Sequence, residues 1–123
     1  MSFVVEAGLT AADPVLRVTG ELDELTAGDL ADAVRYQVSA SPHSLTIDLS
    51  ETTFLNSSGA RQLVMSSREV ARSGVPLRVL CPRANRAVWR VVDLLELQSA
   101  VPITAPDEEG GGGAVAGAGG AAT

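Results

Sequence analysis

The sequence contains few aromatic residues and one cysteine. Phe, Tyr and Trp make up 3% of its 123 residues, so the interior of the fold must be built from Leu, Val, Ile and Ala. A chain of this length is expected to form one domain with a modest core. Cys81 has no second cysteine to pair with, which excludes an internal disulfide. Because Cys81 lies in an apolar strand pattern, we expect a small core residue, and a redox role is the alternative.

Lysine is absent, and acidic residues outnumber basic ones. All nine basic residues are arginine, which we interpret as genome composition bias more than function. Fifteen carboxylates give a net charge of −6, which argues against a nucleic-acid-binding protein with its basic face. Residues 1–60 hold two arginines and nine carboxylates, whereas residues 61–100 hold seven arginines and three carboxylates. This asymmetry would steer a charged partner, or it is ordinary solvated surface.

The sequence also lacks long apolar runs and the usual signatures of nucleotide or metal chemistry. No stretch has the length of a transmembrane helix and no signal peptide is visible, so we expect a cytoplasmic protein without membrane contact. No Gly-rich phosphate loop with lysine is present, which disfavours a nucleotide-binding enzyme. Glu21 and Asp23 form a carboxylate pair without a third ligand or a nucleophile, so we expect neither a metal site nor a cofactor. The one histidine, His43, is expected to be exposed and idle.

Short apolar runs that alternate with amphipathic stretches predict an α/β fold. A capping box of Thr26 and Asp29 opens the first helix, which ends near position 41. From Ala105 the chain is rich in Gly, Ala and acidic residues without periodicity, which predicts a domain over 1–104 and a disordered tail over 105–123. Strands are predicted over residues 3–5 and 15–18, as an antiparallel pair, and over 45–49, 77–81 and 97–103, with further helices over 58–73 and 82–95.

A tight turn, Asn56-Ser57-Ser58-Gly59, joins a predicted strand to an amphipathic helix. The first backbone N–H groups of a helix have no partner within it, and the helix dipole favours negative charge there. One interpretation is that Asn56 or Ser57 caps the helix, which spacing alone favours because such caps are common. The other interpretation is that a phosphate is added to Ser57 and removed from it.

Two stretches resemble the STAS-domain family of bacterial anti-sigma factor antagonists. Residues 54–59, which end in the turn, resemble the family's D-S-S-G signature, and residues 19–23 carry its T-G-E-L-D segment at the expected separation. The resemblance covers about residues 3–104. It implies the STAS fold, an α/β fold in which a mixed four- to five-stranded sheet carries helices mainly on one face. It also implies that a kinase, which is itself the anti-sigma factor, phosphorylates the first serine of the pair, here Ser57.

The function implied by the resemblance is binding and not catalysis. An anti-sigma factor antagonist binds an anti-sigma factor of the serine-kinase type and so releases a sigma factor, and phosphorylation of Ser57 would end the binding. The implied partners are that kinase and a PP2C-type phosphatase, and the chain is expected to be a monomer. Met65 lies among arginines on the polar side of the second helix, which indicates either a scattered surface residue or a partner contact. The residues predicted to bind the partner are Asp23, Asn56, Ser57, Ser58, Gly59, Arg61 and Met65.

Two features of the sequence depart from the family. Asn56 stands where the family usually has aspartate. Asparagine caps a helix as well as aspartate does. The missing negative charge should ease the addition of a phosphate to the neighbouring serine, but the substitution also takes away a group that the kinase can recognise. The family also usually ends in one more helix, where this sequence has its Gly- and Ala-rich tail. The alternative function is a STAS module that is never phosphorylated, a fixed subunit of a transporter or signalling assembly, with the serines as caps only.

Overall fold

A computed structural model describes residues 3–106 of the chain. The predicted succession of two strands followed by alternating helices and strands is confirmed, with one more strand and a short 3₁₀-helix added. The elements in chain order are β1 (Val4–Leu9), β2 (Pro14–Leu22), α1 (Ala27–Ser39), β3 (Leu45–Asp48), β4 (Thr52–Leu55), α2 (Ser57–Arg72), β5 (Leu77–Leu80), α3 (Arg86–Leu94), the 3₁₀-helix (Leu97–Ser99) and β6 (Ile103–Thr104).

The strands form one mixed sheet, which confirms the predicted α/β fold class. The strand order is β1-β2-β3-β5-β6, and β4 pairs with the far end of β2. Strands β1 and β2 run antiparallel as predicted, and the other neighbours run parallel. Within the described residues the sheet has six strands instead of four to five. The extra strand is β4, which the sequence analysis treated as the approach to the turn and which pairs with β2 over Gly20–Leu22.

Side chains alternate between the two faces of the sheet, and the helices cover one of them. On the covered face Leu16, Ile47 and Val79 are fully buried. On the opposite face Arg17 Nε lies 3.7 Å from Asp48 Oδ2. An alternation of buried and accessible positions is typical of a sheet with one solvated face. The largest fully buried side chains are aliphatic, as predicted: Leu16, Leu22, Leu30, Leu45, Ile47, Leu49, Leu63, Val18, Val34, Val70, Val79 and Val88.

The start of α1 differs from the predicted capping box. Thr26 precedes the helix with φ −111° and ψ −11°, and its side chain makes no capping hydrogen bond. The Thr26 hydroxyl instead donates to the carbonyl oxygen of Glu21 at 2.8 Å and accepts from the N–H of Asp23 at 2.9 Å. The capping box fails because the loop before the helix uses this hydroxyl to close its own turn.

The third helix begins later than predicted because Asn85 ends the preceding loop. Asn85 Nδ2 donates to the carbonyl oxygens of Leu49 and Thr52 at 3.0 and 2.9 Å, and Asn85 Oδ1 accepts from the N–H of Val88. These contacts fix the cap of α3 at Asn85, so the helix begins at Arg86, four residues past the predicted start at Pro82.

The predicted strand over 97–103 is correct only at its end. Residues 97–99 form the 3₁₀-helix, since the N–H of Ser99 bonds to the carbonyl of Glu96 and that of Ala100 to the carbonyl of Leu97. The strand itself is the two-residue β6. Ala105 is buried in the core. The tail predicted over 105–123 lies outside the described residues from position 107 onward, so its disorder stays a prediction.

Candidate functional site

Strands β2 and β4 deliver two loops side by side at one end of the sheet. Leu22 of β2 and Leu55 of β4 are register partners in a parallel pair, and the N–H of Asn56 bonds to the carbonyl oxygen of Leu22. The next residues on each strand are Asp23 and Asn56, which therefore leave the sheet as neighbours. The two motifs that the sequence analysis singled out, residues 19–23 and 54–59, meet here.

Asn56 is the cap of α2. Its backbone is extended, with φ −115° and ψ −173°, and its Oδ1 accepts from the N–H of Gly59 at 3.0 Å. Of the two caps that the sequence left open, the structure forms the one at Asn56, and the helix begins at Ser57, one residue earlier than predicted. Ser57 is exposed and Ser58 is half-buried. The Ser57 hydroxyl therefore lies at the surface of the first turn without serving as its cap.

Gly59 allows the first turn of α2 to approach β2 closely. A Cβ atom built on Gly59 would overlap the carbonyl oxygen of Leu22 and lie 2.8 Å from Leu55 Cδ1. Backbone atoms cannot yield to such an overlap as a flexible side chain can. The structure gives Gly59 a packing role that fixes where Ser57 stands, while partner contact at this buried position stays a prediction.

The carboxylate of Asp23 organises the β2–α1 loop. Asp23 Oδ1 accepts from the N–H of Leu25 at 2.9 Å and from the N–H of Thr26 at 3.2 Å. An aspartate that bonds to backbone groups two and three residues ahead builds an Asx turn. Asp23 thus holds residues 23–26 in one conformation beside Asn56.

Glu24 is the site residue that the sequence analysis missed. Asn56 Nδ2 donates to Glu24 Oε1 at 2.8 Å. The amide orientation is determined, since the N–H of Gly59 requires an oxygen acceptor and the Glu24 carboxylate requires a donor. Glu24 therefore brings a carboxylate next to the residue that precedes Ser57. The contact joins positions 32 residues apart, and only the pairing of β2 with β4 would have revealed it.

The predicted polar stripe of α2 is exposed. Arg61, Met65 and Arg68 all face solvent, and 51% of Met65 is accessible. Met65 lines a groove of about 290 Å³ between α1 and α2, together with Ala31, Arg35, Gln62, Arg68, Glu69 and Arg72. One and two helical turns separate Arg61 and Met65 from Ser57. The residues predicted in the two loops and in the first turn of α2 therefore lie together at one end of the sheet, and Arg61 and Met65 follow along the exposed side of α2.

Within residues 3–106, no helix combines the length and the apolar character needed to cross a bilayer. Over the same residues, no group of three or more His, Cys, Asp and Glu side chains is arranged to hold a metal ion.

Comparison with known sequences shows which family this chain resembles. The sequence profile of the STAS domain matches residues 6–109. The anti-sigma-F factor antagonist RsfB of Mycobacterium tuberculosis is 39% identical over 59 residues, which are 48% of this chain and 48% of that protein. The chain therefore spans about half the length of the curated relatives it matches.

Comparison with solved structures agrees with the profile. The crystal structure of an anti-sigma factor antagonist from Mycobacterium paratuberculosis is 28% identical and has a TM-score of 0.72, with 83% of this chain and 85% of that chain covered. The phosphorylated form of the Bacillus cell fate determinant SpoIIAA is 18% identical and has a TM-score of 0.60, with 87% of this chain and 95% of that chain covered. The second likeness shows the fold alone. Because the profile spans most of the sequence and the fold agrees, the chain belongs to the STAS domain family.

Proposed function

We propose that the protein is an anti-sigma factor antagonist that binds an anti-sigma factor of the serine-kinase type and so releases a sigma factor. Phosphorylation of Ser57 ends the binding. The observation that carries this proposal is that Ser57 is exposed on the first turn of α2, where Asn56 makes the cap. The names of RsfB and of the antagonist from M. paratuberculosis support it.

Because Ser57 lies at the N-terminus of α2, a phosphate on it should cost the fold little stability but should greatly weaken binding of a partner at this site. A phosphate adds about −1.5 to −2 charge, and the positive end of the α2 dipole accommodates negative charge. A partner that docks on this end of α2 would have to bury the dianion or oppose it with its own carboxylates, at several kcal/mol. A loss of about 4 kcal/mol lowers affinity roughly a thousandfold.

In this scheme the protein is a substrate and a competitor, and it catalyses nothing. The kinase that phosphorylates Ser57 is the same anti-sigma factor that the unmodified protein binds. A PP2C-type phosphatase restores the unmodified form. We expect a cytoplasmic monomer without a cofactor, whose partner surface consists of Asp23, Asn56, Ser57, Ser58, Gly59, Arg61 and Met65.

Asn56 favours a second candidate function. With an amide in place of the family's aspartate, a kinase lacks one recognition group next to Ser57. A STAS module that is never phosphorylated would then act as a fixed subunit of a transporter or a signalling assembly. Genomic neighbours discriminate between the two functions, since a gene for a kinase-like anti-sigma factor favours the switch and a permease gene favours the subunit.

Enzymatic phosphorylation tests the proposal. The purified chain is incubated with ATP and the purified anti-sigma kinases of its own organism, and the modified residue is mapped by mass spectrometry. We expect one phosphate, which is lost in Ser57→Ala and kept in Ser58→Ala. Because Asn56 holds the cap, Ser57→Ala should change the free energy of unfolding by less than about 0.5 kcal/mol, so loss of the phosphate cannot come from unfolding.

Two other outcomes are informative. A phosphate on Ser58 would move the site by one residue and keep the switch. If a kinase binds the chain and neither serine is modified, the switch is wrong and the fixed module takes its place.

A further inference from the structure

Leu25 is an apolar side chain held out into solvent by a rigid loop. It is 85% exposed, although its backbone N–H is bonded to Asp23 Oδ1 and the following N–H, of Thr26, is bonded to the same oxygen. Single exposed leucines are ordinary on protein surfaces. Leu25 differs in that hydrogen bonds to Asp23 hold its backbone while most of the residue stays exposed, an arrangement that lowers the entropy lost when a partner buries it.

The same loop is tied to the helix that carries Ser57. Glu24 precedes Leu25, and its carboxylate accepts from Asn56 Nδ2 at 2.8 Å. Asn56 Oδ1 in turn accepts from the N–H of Gly59 in the first turn of α2. This chain of hydrogen bonds sets the position of Leu25 relative to Ser57.

We propose that Leu25 is the apolar anchor of the partner surface, and that Glu24, through Asn56, is the positioning residue that holds it beside Ser57. The inference rests on the proposed function, since the partner it names is the anti-sigma factor. Glu21 and Glu24 are exposed on either side of the Asp23 turn, so the complementary surface is an apolar recess on the anti-sigma factor with a basic rim. The phosphorylated residue and the anchor then occupy the same interface.

The chain offers a matched control for the anchor. Leu94, at the end of α3, is 77% exposed and lies outside the seven residues of the predicted partner surface. We expect Leu25→Ala to weaken binding of the purified anti-sigma kinase about tenfold or more, while Leu94→Ala stays within twofold of the wild type. Both variants should melt like the wild type, because neither leucine is buried. Equal affinity for Leu25→Ala and Leu94→Ala would overturn the proposal.

The positioning role of Glu24 is tested by non-additivity and rescue. Binding is measured in about 0.5 M salt, where direct attraction between exposed charges is screened. Glu24→Ala should weaken binding about threefold or more, and Glu24→Gln should recover most of the loss, because its amide oxygen can still accept from Asn56 Nδ2. Glu24→Ala combined with Leu25→Ala should bind no worse than Leu25→Ala alone. The positioning role would be overturned if the affinity losses of Glu24→Ala and Leu25→Ala multiplied in the double variant. It would also be overturned if Glu24→Gln bound as weakly as Glu24→Ala.

The two proposals fail in distinguishable ways. If no anti-sigma kinase binds or modifies the wild-type chain, the proposed function is wrong and the anchor falls with it. If the kinase modifies Ser57 and binds Leu25→Ala like the wild type, the function stands and only the anchor is wrong.

Discussion

At the scale of single residues, Gly59 shows that a glycine of the turn motif can be required for packing within the fold. Its absent Cβ makes room for the carbonyl oxygen of Leu22, and this contact brings α2 onto the end of β2. A substitution here acts on stability through backbone overlap, which side-chain rearrangement cannot relieve.

We expect Gly59→Ala to lower the free energy of unfolding by about 2 kcal/mol or more. Gly28 in α1 is the control, since nothing lies within 4 Å of a Cβ built there. Alanine in an open helical position is favoured over glycine by about 0.5–1 kcal/mol, so Gly28→Ala should stabilise slightly. Urea denaturation of both variants measures the difference. A Gly59→Ala variant as stable as the wild type would contradict the close approach.

The residues of the site differ in how far the sequence alone could identify them. Asn56 and Ser57 were placed at a helix start because turn residues precede an amphipathic pattern. Glu24 was missed because its partner Asn56 is 32 positions away, and no local pattern marks an exposed glutamate as a contact of a cap. The local sequence around Asn56 predicts where α2 begins. The residue that contacts Asn56 from the other loop, Glu24, depends on the pairing of β2 with β4.

At the scale of elements, α2 combines a packing face with an exposed stripe. Leu63 and Val70 are fully buried, while Met65 on another side of the helix is half exposed. The same helix thus fixes Ser57 in the fold and presents side chains to solvent along the groove against α1.

We expect Met65→Glu to leave the thermal midpoint within a few degrees of the wild type and to weaken binding of the anti-sigma kinase about tenfold. Methionine adapts to interfaces and is enriched in them, and burying a carboxylate in its place is costly, but an exposed residue contributes little to folding. Ala71→Glu is the control, because Ala71 is exposed on another face of the same helix. Calorimetry of the kinase with both variants provides the measurement. If the two variants bind alike, Met65 is an ordinary surface residue.

Elements with strong periodicity were predicted well, and short ones were not. The helix pattern of α2 spans four turns, so its existence and its ends were found within one residue. Strand β4 has four residues, with two accessible positions between two buried ones, a spacing that departs from strand alternation and fits one turn of a helix equally well. Its identity as a strand depends on hydrogen bonds to β2, and these are not encoded locally.

At the scale of the whole molecule, the described fold closes just after β6. Ala105 is buried in the core, and seventeen residues follow Pro106. They include Asp107, Glu108 and Glu109, half of the net charge of −6.

We expect deletion of residues 107–123 to shift the thermal midpoint by no more than a few degrees, because the segment lacks the apolar periodicity that a packed element needs. Deletion of 104–123 is the control, since it removes the buried Ala105 together with half of β6 and should destabilise the fold. Calorimetry measures the thermal midpoints of both truncated variants. A large loss of stability on the shorter deletion would show that the tail packs on the domain.

The separation of the helix cap at Asn56 from the hydroxyl of Ser57 has a genetic consequence under the proposed function. Because Asn56 and not Ser57 caps the helix, small substitutions at codon 57 should not lower protein abundance, and under the proposed function an alanine or glycine allele should produce a regulator locked in its active form. Alleles of codon 59 should instead lower protein abundance. A deep mutational scan under selection for sigma-dependent growth would therefore enrich variants at one position and deplete them two codons later.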